Sequence, residues 1–209
     1  MSDLLPIFPL PTVVLFPNVF LPLHIFEERY RTMVSDALAG DRMLGMVLLR
    51  PGWEHEYEGR PAVYPIGCSG LITHVERLPD GKYNIVLRGL ERFRLVHEDH
   101  TRSYRRATVE PLEEMRLSEE ERATLRRHRA KLEALLLPAS GNVVSDANTG
   151  SMSDEELINA LAQYLELEAV EKQALLEKNC LKSRAESLIE VLEMKMLMAR
   201  TPGLSNVSH

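Results

Sequence analysis

The sequence predicts an α+β protein: a small, curved β-barrel with one early helix over residues 1–112, an all-helical bundle over residues 113–200 and a disordered tail at 201–209. Three observations carry this. Prolines interrupt the opening apolar run, a hairpin with legible turn chemistry follows, and beyond Pro111 the β-branched residues thin out while Leu, Ala, Glu and Lys take over in helical spacing.

Pro6, Pro9, Pro11, Pro17 and Pro22 each fix a backbone angle and remove a donor, so the opening stretch cannot be a continuous helix and reads as short edge strands and tight turns. The spacing of Ile25, Phe26, Tyr30, Met33, Val34 and Ala37 then predicts a helix closing at Gly40. Leu78-Pro79-Asp80-Gly81-Lys82 supplies a preset φ, a local side-chain acceptor and a residue tolerant of positive φ, which is a hairpin turn. On the return strand Tyr83, Ile85 and Leu87 alternate with Asn84, Val86 and Arg88, and Arg92 and Arg94 alternate with Phe93 and Leu95, predicting one buried and one charged face. Gly67, Gly70 and Gly89 fall where such strands would bend into barrel corners.

In the second half, Ser118 with Glu121, Ser153 with Glu156 and Ser183 with Glu186 have the spacing of capping boxes, in which hydroxyl and carboxylate satisfy orphan amides reciprocally. Leu157, Ile158, Leu161, Tyr164 and Leu165 form one apolar stripe, and Leu181, Ala185, Leu188, Ile189, Leu192 and Met196 another, with a short helix around Val170 to Lys178 between them. The polar stretch from Pro138 to Met152 is expected to be a mobile surface loop.

Composition narrows the function classes. At 209 residues with 44% hydrophobic and 27% charged residues, the chain can bury a real core. Prolines break every stretch that could span a bilayer and no basic segment leads into a long apolar run, so the expectation is a cytoplasmic protein with no membrane partner. Cys68 and Cys180 have no metal-ligand spacing and are expected to be packing residues, with no metal and no cofactor. A net charge of −6 opposes nucleic acid as a partner. The candidate basic patches are Arg102, Arg105 and Arg106, and Arg126, Arg127, His128, Arg129 and Lys131; the latter interleaves with leucines and lacks stacking aromatics, as a solvated helix face would.

No cluster carries a catalytic signature. His97-Glu98-Asp99-His100 and Glu54-His55-Glu56 with Glu58 sit in expected connections without a helical H-E-x-x-H arrangement, and Gly67-Cys68-Ser69-Gly70 lacks the G-x-S-x-G spacing. No stretch fits the phosphate loop G-x-x-x-x-G-K-[ST]. Trp53 and Tyr57, between charged residues in a Gly/Pro-bounded connection, are the candidate partner-binding residues, with a lid over the barrel core as the alternative. Met43, Met46, Met194, Met196 and Met198 are expected to pack in the core, with an adaptable binding surface as the alternative.

The stretch from Leu5 to Leu38, above all Leu21-Pro22-Leu23-His24-Ile25-Phe26-Glu27-Glu28-Arg29-Tyr30-Arg31, and Leu78-Pro79-Asp80-Gly81 with Gly89-Leu90-Glu91-Arg92-Phe93, resemble the amino-terminal, substrate-binding domain of the Lon protease family, in particular its stand-alone members lacking the ATPase and protease domains. Leu157 to Leu192 is similar to the helical half of that domain. The resemblance implies a PUA-like β-barrel followed by helices, and a non-catalytic role in engaging unfolded polypeptide or a protein partner without ATP. Readings from other classes are a small-ligand sensor using the barrel groove and, third, an unrecognised hydrolase. Oligomeric state is not encoded legibly.

Overall fold

The computed structural model describes residues 4–56, 59–136 and 151–200. The expected loop at 138–152 falls almost entirely outside these residues, as does the tail at 201–209. Contacts divide the chain into two units, Met1–Glu113 with Asn159–Glu177, and Glu114–Ile158 with Lys178–His209. Residues 159–177, which composition groups with the other C-terminal helices, thus belong with the strands.

The first unit is built on β1 (Leu5–Leu10), β2 (Phe20–Ile25), β3 (Met43–Leu48), β4 (Ile66–Arg77), β5 (Tyr83–Asp99) and β6 (Arg105–Pro111). They form one mixed sheet in the order β2-β5-β4-β3-β1-β6, which a further pairing of β5 with β6 closes into a ring. β5 can do this because it is 17 residues long: its first half pairs with β4 and β2, its last with β6. Helix α1 (Glu28–Ala39) buries Tyr30, Met33, Val34 and Ala37, as its spacing predicts, but starts after Phe26 because Ile25 is the last, buried residue of β2.

β1 is not an edge strand, despite its prolines. It pairs with β6 over Leu5–Ile7 and with β3 over Ile7–Leu10, so Pro6 and Pro9 each have a paired neighbour on one side only and their missing donors interrupt neither ladder. Ile7, Val47, Phe93 and Ala107 form a core cluster inside the ring.

The hairpin turn falls where the sequence puts it. Gly81 has φ 79°, Gly81 N donates to Leu78 O at 3.0 Å, and Asp80 Oδ1 accepts from Lys82 N at 3.2 Å. Tyr83, Ile85 and Leu87 are buried as expected. Further along, the expected alternation fails. Pairing moves from Cys68↔Arg92 to Gly70↔Gly89, two residues of β4 against three of β5, and beyond this bulge Arg92 and Phe93 are both buried although they lie on opposite faces of the strand, Phe93 in the core cluster and Arg92 against Leu176. The Arg92 guanidinium donates from Nη1 to Leu176 O at 3.0 Å.

Gly89 sits under a crossing segment. A Cβ there would lie 2.0 Å from Phe16 O, while Gly89 N donates to Val19 O at 2.8 Å and Gly89 O accepts from Asn18 N at 2.9 Å. Helices α3 (Asp154–Tyr164) and α4 (Ala169–Leu176) supply the remaining residues of this unit, from Asn159 onward. A capping box built on Glu168 and Glu171, with no serine, starts α4, Glu168 N donating to Glu171 Oε2 at 2.7 Å.

In the second unit α2 (Glu119–Leu136) packs along α5 (Leu181–Arg200), and Leu125, Leu132, Leu181, Ala185, Leu188 and Ile189 are buried. Two of the three predicted Ser caps form: Glu121 N donates to Ser118 Oγ at 3.3 Å and Glu156 N to Ser153 Oγ at 3.2 Å, each Glu reaching back. Ser183 does not cap. It lies inside α5, its hydroxyl donating back to Cys180 O at 2.9 Å, because the helix starts two residues earlier. Met194 and Met198 are exposed on α5, against expectation, whereas Met46 is buried.

Two stability outcomes follow from these contacts. Gly89→Ala should cost about 3 kcal/mol in denaturant unfolding, since the Cβ meets backbone that cannot rotate away, whereas Gly81→Ala, strained in φ and meeting only the far end of the flexible Arg31 side chain at 2.8 Å, should cost about 1 kcal/mol. Tyr104 donates to Asp36 Oδ2 at 2.8 Å, and burial first, then that bond, pushes its pKa up to about 12. Its contribution is therefore fully present below the ordinary tyrosine pKa of about 10 and is lost as pH rises through about 12. The stability difference between wild type and Tyr104→Phe should shrink across that window; a difference constant with pH would contradict the assignment.

Candidate functional site

On β2, Leu21, Leu23 and Ile25 turn toward the barrel, which leaves Phe20, Pro22 and His24 on the outer face. Phe20 is 51% and Phe26 59% exposed, large values for aromatic side chains six residues apart. The antiparallel register continues this face across the sheet: Phe20 lies opposite Arg88, Pro22 opposite Val86 and His24 opposite Asn84, and beyond them His74 opposes Val86 and Glu76 opposes Asn84.

The polar members form a ladder. His24 Nδ1 lies 2.8 Å from Asn84 Oδ1, and Asn84 Nδ2 donates to Glu76 Oε2 at 2.7 Å. The Phe26 ring stacks beside His24 with centroids 6.1 Å apart. A shallow groove of about 370 Å³ runs over Pro22, His24, His74, Glu76, Asn84 and Val86.

The face is fixed from behind by α3. Phe16 N donates to Gln163 Oε1 at 3.2 Å, Asn159 Nδ2 donates to Pro17 O at 3.1 Å, and Tyr164 Oη donates to Phe20 O at 2.7 Å. Asn159 and Gln163 are buried, while Tyr164 is exposed rather than part of the apolar stripe expected of it.

A second concavity, about 230 Å³, is lined by Arg29, Tyr30, Arg60, Ser103, Tyr104 and Arg105 among others. Its charge is largely spent internally. Arg29 Nε donates to Glu27 at 3.0 Å, and Arg105 donates from Nε to Glu98 at 2.8 Å and from Nη1 to Pro61 O at 2.8 Å.

Trp53, at the start of a 3-10 turn Trp53–Glu56, is half-buried and lines neither concavity; Tyr57 lies outside the described residues. Several members of the charged clusters form ion pairs. Glu98 and Asp99 accept from Arg105 and Arg106, Arg102 lies 3.8 Å from Asp36, and Arg129 bridges Glu133 and Asp154 at 3.0 and 2.9 Å. Among the described residues no three His, Cys, Asp or Glu side chains converge as metal ligands, and no helix is long and apolar enough to cross a membrane. Cys68 is buried and Cys180 half-buried, both as free thiols. Phe20 and Phe26 were open to sequence reasoning only through parity: they share their alternation with His24, the one polar residue of the strand.

Known proteins match this chain along nearly its full length. The Lon protease of Flavobacterium johnsoniae is 28% identical over 197 residues, covering 92% of this chain but 24% of its own, so the chain spans about a quarter of that relative. The N-terminal domain of the Mycobacterium avium complex Lon protease superposes with a TM-score of 0.72 at 19% identity, covering 91% of this chain and 98% of that one, and shares the fold. The Lon N-terminal domain protein of Xanthomonas campestris superposes with a TM-score of 0.60 at 25% identity, covering 90% and 98%. Residues 4–194 match the ATP-dependent protease La (LON) substrate-binding domain, and the chain belongs to that family.

Proposed function

We propose that this chain is a non-catalytic, ATP-independent binding domain that holds unfolded polypeptide, or an exposed segment of a protein partner, on the outer face of β2, and that it works in the cytoplasm. The observation that carries this reading is the exposure of Phe20 at the start of β2 and of Phe26 just past its end, while Leu21, Leu23 and Ile25 between them are half-buried or buried. Exposed aromatics pre-organised on a strand bind at low entropic cost, and a few such anchors dominate the energy of an interface. Membership of a substrate-binding family supports polypeptide as the occupant. A small-anion site in the arginine-lined concavity is less favoured, because Glu27 and Glu98 already engage Arg29 and Arg105. Trp53 and Tyr57 remain the second candidate anchors.

The two anchor pairs are separable by anisotropy titration against a labelled, chemically unfolded protein. Phe20→Ser with Phe26→Ser should weaken binding tenfold or more, a loss of about 1.4 kcal/mol, with little change in melting temperature. If instead Trp53→Ala with Tyr57→Ala produces that loss and the phenylalanine pair does not, the site belongs to the Trp53 loop. The purified chain should neither hydrolyse ATP nor degrade casein; turnover above a blank in repeat preparations would overturn the non-catalytic reading.

A further inference from the structure

Resting on that reading, we propose how the polypeptide is recognised: through its side chains, as an extended segment with apolar residues at every second position, and not by adding a strand to the sheet edge. Among the described residues β2 is the end strand, paired with β5 alone, so strand addition would be the obvious alternative.

The backbone directions argue against it. Gly89 exchanges both its backbone bonds with the Asn18–Val19 segment, and Val86 O accepts from Thr73 Oγ1 on β4 at 3.1 Å. Over Tyr83–Gly89, before the bulge, the backbone groups of odd-numbered residues of β5 therefore face β2 and those of even-numbered ones face β4. In an antiparallel pair this means that Leu21, Leu23 and Ile25 bond to β5, while Phe20, Pro22 and His24 turn their backbone groups to the open side. Pro22, at the centre of that row, has no N–H to give. The Phe20 carbonyl is already taken by the Tyr164 hydroxyl at 2.7 Å. A seventh strand would thus find its ladder interrupted at two of three successive outward positions.

The side chains offer what the edge withholds. Phe20, Pro22, His24 and Phe26 stand at two-residue intervals, the repeat of an extended chain, so a strand-like segment laid along them meets an anchor with each alternate residue. Charge gives the segment a direction. Exposed Arg88 lies opposite Phe20, whereas Glu76 lies at the His24 end of the ladder, so an acidic residue fits the Phe20 end and a basic one the His24 end.

The test uses the full chain and four fluorescent peptides of one composition: apolar residues alternating, the same residues blocked together, the alternating peptide N-methylated at alternate backbone amides, and the alternating peptide with its terminal charges exchanged. The N-methylated peptide should bind as well as its parent, the blocked peptide roughly tenfold more weakly, and Arg88→Glu should reverse the preference between the two charge arrangements. Loss of binding on N-methylation would establish strand addition, and equal binding of the blocked peptide would remove the two-residue register; either overturns the proposal. Failure of the underlying reading looks different: Phe20→Ser with Phe26→Ser would then leave affinity for the alternating peptide unchanged.

Discussion

The first unit depends on one close approach, the passage of the Phe16–Val19 backbone directly over Gly89. No other residue type leaves room for the Phe16 carbonyl there, and the two backbone bonds between Gly89 and the Asn18–Val19 segment fix where the chain re-enters the sheet as β2. The register of β2 on β5 follows, and with it the choice of which alternate residues face outward. A slip of one residue would bury Phe20 and Pro22 and expose Leu21, Leu23 and Ile25.

Buried polar groups hold the same unit together in a directional way that apolar packing cannot. Asn159 and Gln163 bond to the backbone at Pro17 and Phe16, Gln173 donates to Ile66 O at 2.9 Å, and Arg92 donates to Leu176 O. Each is almost completely buried, so each bond, if broken, would leave a desolvated group without its partner. Such contacts specify a single docking of residues 159–177 on the strands more than they add net stability. The candidate binding face is therefore supported by residues that lie some 140 positions away in sequence.

Electrostatics are handled locally. A chain of net charge −6 carries several of its arginines next to carboxylates: Arg105 with Glu98, Arg106 with Asp99, Arg129 with Glu133 and Asp154, Arg184 with Glu114. Partly buried pairs of this kind orient loops and helix ends, and they leave little concentrated positive field for a polyanion. The β2 face differs in that its two charged members, Arg88 and Glu76, sit at opposite ends and are not paired with each other.

The sequence by itself determined the elements whose signals are local. The Pro79–Gly81 turn, the α1 stripe from Tyr30 to Ala37 and the caps at Ser118 and Ser153 depend on residues within a few positions of one another, and all lie where their chemistry requires. Ser183 shows the limit, since a hydroxyl three residues before a Glu caps only if the helix begins there, and the true start at Leu181 turned it back to Cys180 instead. Only the tertiary structure decided the rest. The bulge beside Arg92 arises from a mismatch between two strands, Pro6 and Pro9 are tolerated inside the sheet because two ladders are staggered, and β2 is apolar on both faces but for His24, so its own pattern left only that one residue to mark the uncovered side. That last choice made Phe20 and Phe26 surface residues, and it was made by Gly89, Asn159 and Gln163, because burial is a property of what packs against a strand and not of the strand alone.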